Sequence, residues 1–463
     1  MSVELSLRSA IPGYPKRPHR WWWWKEKYRY RIEDFKLPRG ISFKGMRQSL
    51  SHIRNLRLNV CVERGVLEHL LELMPNVESL SLTGFDVVRE FTTLPSARLV
   101  PPVGITSLDL GPLLLTEDKF RLLIGACSTS LQEYRSTPDF LESAHRGALS
   151  TCTNLRHLRL KGSSLSLRFF PLEEILVSLR NLETIQLKNC GHISERSLED
   201  ILKQDKLKRL HLQSPPKAAI RRLGTISTLK HLEVTRSHLD LEQFLTFTNL
   251  SNLRALHLGS TNVCSGCVGV ISESFEGLEE LTLGPHGVDD IHVLKLRRLK
   301  NLTKLTLIRS PKLTDRIFAE GLGSPLMEKL CIRDIDLTDV GLASIAAHHS
   351  RLRKLELEGL NRITDVGLVA LLENEPLIED LYVGICDSLT GKWLRALENL
   401  CPRLRSLQTI ADNDDITMFQ AKRSWVQWTG SVSLKIRRVF TLRVKHQRRI
   451  PRALRSWGIL SSE

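Results

Sequence analysis

Cysteine is the residue type of this 463-residue chain that most readily does metal or redox chemistry, and the chain has nine. Cys264 and Cys267 form one C-x-x-C pair, but a structural zinc ion takes four ligands and the sequence offers no second pair. Most other cysteines keep phase with a recurring leucine pattern, which is typical of small buried hydrophobic residues. The sequence therefore predicts no metal site, and the thiols are expected to be free in a reducing compartment.

Motifs of catalysis are missing from the sequence. It contains no G-x-x-x-x-G-K-[S/T], no G-x-G-x-x-G after a predicted strand, no H-E-x-x-H and no G-x-S-x-G. We therefore expect that the protein is not an enzyme and holds no cofactor. Four histidines could suggest metal binding or pH sensing, but solvent-exposed strand positions explain them better. They are His157, His211, His231 and His257.

A six-residue phrase, L-x-x-L-x-L, recurs along the chain, and the four histidines lie within it. Its central apolar residue marks fifteen units with an average spacing of about 25 residues, which is the period of leucine-rich repeats. Chance clustering of leucine would not keep this phase over about 350 residues. The marker residues are Leu56, Leu80, Leu108, Tyr134, Leu158, Ile185, Leu210, Leu232, Leu256, Leu281, Leu305, Leu330, Leu355, Leu381 and Leu407.

Each unit reads as a short strand followed by a helix. Leucines that alternate with polar residues indicate a strand with one buried face. The helical stretches between phrases carry candidate N-caps, Thr338 and Thr364, and glycines that cost helix propensity, Gly341 and Gly367. One unit cannot bury its own leucines, but stacked units can. The predicted fold is an α/β leucine-rich-repeat solenoid, a horseshoe of about 15 repeats with a parallel inner sheet and outer helices.

Charge divides the chain into three segments. Residues 48–415 form the predicted solenoid and are close to neutral, although the whole chain carries +16. Residues 1–47, with Trp21–Trp24, predict a basic, flexible segment with a partial cap, and residues 416–463 predict a C-terminal cap and basic tail. No apolar run is long enough for a membrane span, and no secretory signal is recognisable. We expect a cytoplasmic or nuclear protein.

The repeats resemble the cysteine-containing leucine-rich repeats of F-box/LRR proteins. The resemblance rests on LETIQLKNCGHISERSL (182–198), LRKLELEGLNRITDVGL (352–368) and LCPRLRSL (400–407). It implies the substrate-recognition part of an SCF ubiquitin ligase, which an F-box recruits through the adaptor Skp1 to a cullin. No F-box is recognisable, because Leu37-Pro38 is followed by RGISFKGM and the first repeat phrase begins at Ile53. Either an F-box was never present or the chain is a partial or diverged version, and Skp1 and a cullin are expected partners if the full-length form has an F-box.

The residues between the strand leucines are expected on the concave face, where a protein substrate would bind. A basic group could hold an acidic or phosphorylated segment of that substrate, and later turns add acidic and aromatic side chains. The alternative is that exposed strand positions are polar without further role. The basic candidates are His157, Arg159, Lys161, Lys188, Arg209 and His211, and the later ones are Glu356, Glu358, Asp380 and Tyr382.

Two other functions stay open on the sequence. The protein could be a free-standing repeat scaffold without a ligase link. It could also associate with nucleic acid through its basic ends, although no RRM, KH or zinc-finger pattern supports base recognition and this partner is not expected. Steep weakening by salt would mark such electrostatic binding.

Overall fold

The computed structural model describes most of the repeat region. The chain forms two compact units that meet in sequence between Arg209 and Leu210. Each unit is described by itself below. The described residues are 2–5, 51, 53–58, 71, 74–82, 104–111, 117–137, 143–162, 172–188, 193–284, 288–390, 392–411, 427–432 and 438–443.

The first unit is a parallel sheet, and its described helices follow the strands from Ser107–Asp109 onward. Neighbouring strands pair in register, so that Leu56 lies opposite Leu80 and Leu80 opposite Leu108. The strands are Ser2–Leu5, Asn55–Leu58, Ser79–Leu82, Ser107–Asp109, Glu133–Ser136, His157–Lys161 and Thr184–Lys188. The helices are Glu117–Cys127, Ser143–Ser150, Glu173–Leu176 and Glu195–Leu202.

The second unit repeats the same arrangement. Its parallel strands are Arg209–Gln213, His231–Thr235, Ala255–Leu258, Glu280–Leu283, Lys304–Ile308, Lys329–Arg333, Lys354–Glu358, Asp380–Val383 and Ser406–Ala411. The first residue of the first of these strands, Arg209, belongs to the first unit. A separate parallel pair is formed by His238–Leu239 and Asn262–Val263. The α-helices are Lys217–Leu223, Leu241–Leu245, Ser265–Ser274, Asp290–Val293, Arg316–Ala319, Asp339–His348, Asp365–Asn374 and Trp393–Leu400, and the 3₁₀ helices are Thr246–Asn249 and Leu294–Arg298.

Burial of the marker residues confirms the predicted leucine-rich-repeat fold. All fifteen lie in strands and are at most 2% exposed, including Tyr134, which replaces the usual aliphatic side chain. Equivalent markers are register partners in adjacent strands, as between Leu305, Leu330 and Leu355. The core of each unit is therefore a column of aliphatic side chains that is closed only by stacking.

A ladder of aspartate and threonine links successive repeats of the second unit. The backbone N–H and hydroxyl of each threonine donate to the two carboxylate oxygens of an aspartate one repeat earlier. Thr338 is also the predicted N-cap, because its hydroxyl accepts from the N–H of Val340. Thr364 also occupies the predicted N-cap position, but its side chain accepts no cap hydrogen bond; its hydroxyl donates to Asp339. The ladder pairs are Asp290–Thr314, Asp315–Thr338, Asp339–Thr364 and Asp365–Thr390.

Two helical glycines make room for this ladder. A Cβ on Gly341 would lie 2.3 Å from Asp315 Oδ1, and a Cβ on Gly367 would lie 2.1 Å from Asp339 Oδ1. Real Cβ atoms do not approach so closely, so any side chain would displace the carboxylate. Glycine lowers helix propensity, but it is needed at these two positions because the close packing between repeats leaves no room for a side chain.

The sheets carry additional strands near both termini of the chain. The strand Ser2–Leu5, which the sequence did not predict, pairs parallel with Asn55–Leu58. Arg438–Arg443 pairs antiparallel with Ser406–Ala411 and also with Gln427–Val432. Trp21–Trp24 and most of both predicted terminal segments lie outside the described residues, so the three-segment division stays a prediction. None of the helices within the described ranges has the length and apolar character needed to cross a bilayer.

Candidate protein-binding surface

Side chains that alternate with the buried leucines form one face of each sheet, here called the open face. In the first unit its central row runs through register partners on successive strands. Most of these side chains are partly or fully exposed, and Ser81 is buried. The row is Arg57, Ser81, Asp109, Arg135, Arg159 and Gln186.

Two pairs of cations lie directly opposite each other on this face. Arg135 is the register partner of Arg159, and Lys161 is the register partner of Lys188. Like charges in such positions weaken a sheet by roughly 0.2–1 kcal/mol per pair. The sequence predicted Arg159, Lys161, Lys188 and Arg209 as basic candidates but missed Arg135. Its strand has the degenerate phrase LQEYRS, and only the register places it beside Arg159.

Glu133 is the carboxylate that contacts both arginines. Its Oε1 lies 2.9 Å from Arg135 Nη2 and 3.3 Å from Arg159 Nη1. Burial acts to raise the pKa of Glu133, but the two guanidinium groups and the Ser107 hydroxyl outweigh it, and the pKa is lowered. Glu133 is therefore ionised at neutral pH and screens part of the repulsion between the arginines.

His157 is not part of the cationic group that the sequence predicted. Its Nδ1 lies 3.0 Å from Thr184 Oγ1. Partial burial, aided by the charge of Arg159, lowers the pKa of His157 although Glu133 opposes this. The imidazole is neutral at pH 7, and its candidate role changes from a charge to a neutral hydrogen-bonding group.

His211 belongs to the second unit, and the structure corrects its predicted solvent exposure. The side chain is 3% exposed, and its Nδ1 lies 2.8 Å from Glu233 Oε2. His257 is half-buried, with Nδ1 2.9 Å from Thr282 Oγ1, and burial lowers its pKa despite Glu233 and Glu280. His231 is also partly buried. His211 and His257, which the sequence placed in solvent, therefore each contact a polar side chain of the next strand.

The predicted acidic strip of the second unit is a charge-balanced cluster around Glu356. The carboxylate contacts Arg333 at 2.9 Å, Lys354 at 3.1 Å and Lys329 at 3.4 Å. Burial favours a raised pKa, but these cations and the Cys331 thiol lower the pKa of Glu356 to about 2. The sequence did not predict these contacts, because Lys329 and Arg333 lie on the neighbouring strand and Lys354 lies two residues before Glu356 on its own strand. Glu356 is therefore a structural anion more than an exposed docking charge.

Glu358 and Tyr382 also contact Arg333. Arg333 Nη1 lies 3.3 Å from Glu358 Oε2, and the guanidinium carbon lies 5.7 Å from the centroid of the Tyr382 ring. Burial, and then Glu358, raise the pKa of Tyr382. Asp380 is half-buried at the start of the same strand and is the register partner of Lys354. The four later candidates are thus brought onto neighbouring strands, but Arg333, Lys329 and Lys354 must be added to them.

Replacing Glu356 by glutamine is expected to lower the free energy of unfolding by about 1–3 kcal/mol, because three cations lose a partly buried anion. The pKa of Glu356 is below its unfolded value, so its contribution is present above pH 4.5 and is lost as the pH falls toward 2. Urea unfolding of Glu356→Gln and wild type should therefore converge at low pH. Glu328→Gln, at an exposed carboxylate, is the control. A difference that stays constant with pH would contradict this role.

The described cysteines are free thiols, and six of the seven are buried. Cys264 Sγ and Cys267 Sγ lie 2.7 Å apart at the start of the helix Ser265–Ser274. Within the described ranges, no group of three or more His, Cys, Asp or Glu side chains is arranged to hold a metal ion. Cys61 and Cys190 lie outside the described residues.

A polar groove of about 570 Å³ runs along the loops that precede strands of the first unit. Its lining is already hydrogen-bonded from repeat to repeat: Asn154 Nδ2 donates to the Thr129 carbonyl at 2.7 Å, and Lys206 Nζ donates to Asn181 Oδ1 at 2.7 Å. Lys208 and Arg156 both contact Glu183. This groove is a structural ladder, and the open face remains the candidate surface.

The strand register and the buried leucine columns define a leucine-rich-repeat protein, and comparisons with known proteins add distant similarities. No family model matches the sequence. The F-box protein MAX2 homolog A of Petunia hybrida is 30% identical over 209 residues, which is 37% of this chain and 29% of that protein. The chain therefore spans less than a third of this relative's length.

Two solved structures are similar to the structure of this chain at low sequence identity. Yeast Rad7, solved in a complex with Elc1, matches with a TM-score of 0.46 and 18% identity, over 59% of this chain and 75% of that chain. An internalin from Listeria monocytogenes matches with a TM-score of 0.41 and 17% identity, over 74% and 88%. The fold assignment stands on the register and burial described above.

Proposed function

We propose that the protein is a non-enzymatic recognition subunit that holds a protein substrate on the open face of its repeats for an SCF-type ubiquitin ligase. The observation that carries the binding role is the row of polar side chains, presented in register on successive parallel strands. Such surfaces are the ones that repeat proteins use for binding. The ligase link is supported by the F-box/LRR resemblance of the repeats and by the similarity to a Petunia F-box protein.

Recruitment by the ligase is tested with the full chain, Skp1 and the cullin, purified and mixed before size-exclusion chromatography. We expect the chain to co-elute with Skp1 and, in its presence, with the cullin. Arg159→Gln is the matched control, because a change on the open face should leave recruitment intact. Separate elution of a folded chain at micromolar concentrations would contradict the ligase role.

A free-standing scaffold is the second candidate function, and the sequence around Leu37-Pro38, which lacks an F-box phrase, favours it. In that case the chain would bind its protein partner without the ligase components. We propose a cytoplasmic or nuclear location for either function. Binding of nucleic acid through the basic ends is the weaker alternative, because it rests on composition alone.

A further inference from the structure

The C-x-x-C pair of the second unit lies at the N-terminus of the helix Ser265–Ser274. Cys264 is the N-cap residue, and Cys267 is the third residue of the helix. Their Sγ atoms lie 2.7 Å apart, and the Cys267 backbone N–H donates to the Cys264 carbonyl at 3.0 Å. A sulfur–sulfur bond is about 2.05 Å long, so the two atoms need to move by less than about 1 Å to form one. The start of this helix therefore holds two free thiols in position to become a disulfide.

The helix start itself brings side chains at these two positions into contact. At the start of the helix Glu195–Leu202, Ser194 Oγ lies 2.9 Å from Ser197 Oγ and also accepts the Ser197 backbone N–H. Cys264 makes no such side-chain cap hydrogen bond. Serine and aspartate are preferred N-cap residues, and cysteine is not among them. Helix capping therefore does not explain the two cysteines, whereas contact between their sulfur atoms gives them a chemistry of their own.

The two thiols differ in their access to solvent. Cys264 is partly exposed, and Cys267 is buried. Gly266 is exposed, and a Cβ on it would lie 3.8 Å from Cys264 Sγ, so the residue between the cysteines carries no side chain that would cover this sulfur. Burial, and then the hydrogen bond with Cys264, raise the pKa of Cys267, which keeps it protonated at neutral pH. Cys264 is therefore the sulfur that a reagent from solvent reaches first.

We propose that Cys264 and Cys267 form a redox modification site that reacts with a small disulfide of the glutathione class and closes to an intramolecular disulfide. The Cys264 thiolate attacks one sulfur of the small disulfide, and a mixed disulfide forms as the first glutathione thiolate leaves. Cys267 releases its proton to solvent and attacks Cys264 Sγ, and the second glutathione thiolate leaves. The protein loses two electrons and two protons, and the small disulfide is reduced to two thiols.

Other sulfur chemistry fits this pair less well. A structural zinc ion takes four ligands, and among the described residues no third His, Cys, Asp or Glu joins the two cysteines in a metal-binding arrangement. Irreversible oxidation of a thiol requires that it stay unpaired after its first oxidation, and here a second thiol is already in contact. A C-x-x-C pair at a helix N-terminus is the arrangement in which thiolates are stabilised and exchange is reversible.

Oxidation of the reduced full chain by glutathione disulfide tests the proposal. Samples are quenched in acid, denatured, alkylated and digested with trypsin, which releases both cysteines in one peptide, residues 255–295, that contains no other cysteine. We expect this peptide to escape alkylation and to be lighter than the reduced peptide by two hydrogen atoms. A wild-type peptide that stays in the dithiol form, without reduced glutathione added, would overturn the proposal.

The single variants test the order of the two steps. In Cys267→Ser, Cys264 should retain one glutathionyl group, because no second thiol displaces it. In Cys264→Ser, Cys267 should be modified at least about tenfold more slowly, because it is buried and unreactive as a thiol. Equal rates of modification in the two variants would contradict the assignment of Cys264 as the attacking group.

Both serine variants have a precedent in the fold, since Ser194 and Ser197 occupy the same two positions of another helix. We expect their melting temperatures to stay close to that of the reduced wild type. Cys401 is the control thiol, because it is fully buried and lies in another repeat. It should stay unmodified in the same samples. Modification of Cys401 as fast as that of Cys264 would show that the reaction requires unfolding, and this would overturn the site.

A comparison with hydrogen peroxide separates the two kinds of oxidant. Faster closure by peroxide than by glutathione disulfide at equal concentration, with no glutathionyl group retained in Cys267→Ser, would replace the proposed exchange by direct oxidation. Closure by glutathione disulfide with the retained group supports the exchange. These readouts are independent of Skp1 and of any protein substrate, so a failure of the proposed function leaves this inference intact, and the reverse also holds.

Discussion

Replacing Glu375 by cysteine is expected to stabilise the protein, and the gain should grow as the pH rises from about 5 to 8. The Glu375 side chain is fully buried, and neither of its carboxylate oxygens has a hydrogen-bond partner among the described residues. Burial raises its pKa to about 8. Cysteine is the natural replacement, because Cys152 and Cys401 are buried six residues before their strand markers, as Glu375 is before Leu381.

The direction of the pH effect follows from the two protonation states. Below pH 4.5, Glu375 is protonated in both the folded and unfolded chains and costs no ionisation energy. Between pH 4.5 and 8, the unfolded chain releases the proton while the folded chain keeps it, so stability falls by up to about 1.4 kcal/mol per pH unit. By pH 8 the loss in wild type is on the order of several kcal/mol.

Urea unfolding of Glu375→Cys and wild type at pH 5 and pH 8 measures this difference under reducing conditions. Glu373→Gln, at an exposed carboxylate in the helix Asp365–Asn374 that ends just before Glu375, should change stability by less than about 0.5 kcal/mol at either pH. A gain that is equal at both pH values, or a loss at pH 8, would show that the buried carboxyl has a partner in the folded protein.

Replacing Gly367 by alanine is expected to destabilise the protein by about 3 kcal/mol. The new Cβ would overlap Asp339 Oδ1, which accepts the backbone N–H of Thr364 at 2.7 Å. Moving the carboxylate would leave that N–H and the Thr364 hydroxyl without their acceptor, and overpacking adds a cost of similar size. Gly341→Ala should behave in the same way through Asp315.

Gly125→Ala is the matched control for these glycine variants. Gly125 lies in the helix Glu117–Cys127. Apart from its chain neighbours and the nearby backbone of its own helix, no heavy atom lies within 4 Å of the position of a new Cβ. Alanine should therefore stabilise this helix by about 0.5–1 kcal/mol. Urea midpoints that move in the same direction for Gly125→Ala and Gly367→Ala would contradict the ladder as the reason for glycine.

The sequence predicted those features that depend on local period. The burial of Leu305 and Leu355 was predictable because each alternates with polar neighbours in its own strand, and the spacing of the phrases predicts the strand register. Features that depend on contacts between repeats were missed. Thr364 occupies the predicted N-cap position, but its hydroxyl donates to Asp339, one repeat earlier, and makes no cap hydrogen bond to its own helix.

The candidate surface shows the same division. The sequence placed Arg159 and Lys161 correctly on one strand face, yet the pairing of Arg159 with Arg135 required the register. Glu356 was predicted as an acidic docking residue because its own phrase, LRKLEL, shows only one of the three cations that surround it. Net charge of a surface therefore cannot be predicted one repeat at a time, since cross-strand neighbours decide it.

Site-specific photo-crosslinking in cells tests most directly whether a protein is held on the open face. A benzophenone side chain would replace Gln186, in the central row beside Arg159, or Arg121, on an exposed helix of the same unit. We predict that light produces a discrete protein adduct at Gln186, that Arg159→Gln abolishes it, and that Arg121 gives none. Adducts at Arg121 with none at Gln186 would mean that the helices, and not the strands, contact the partner.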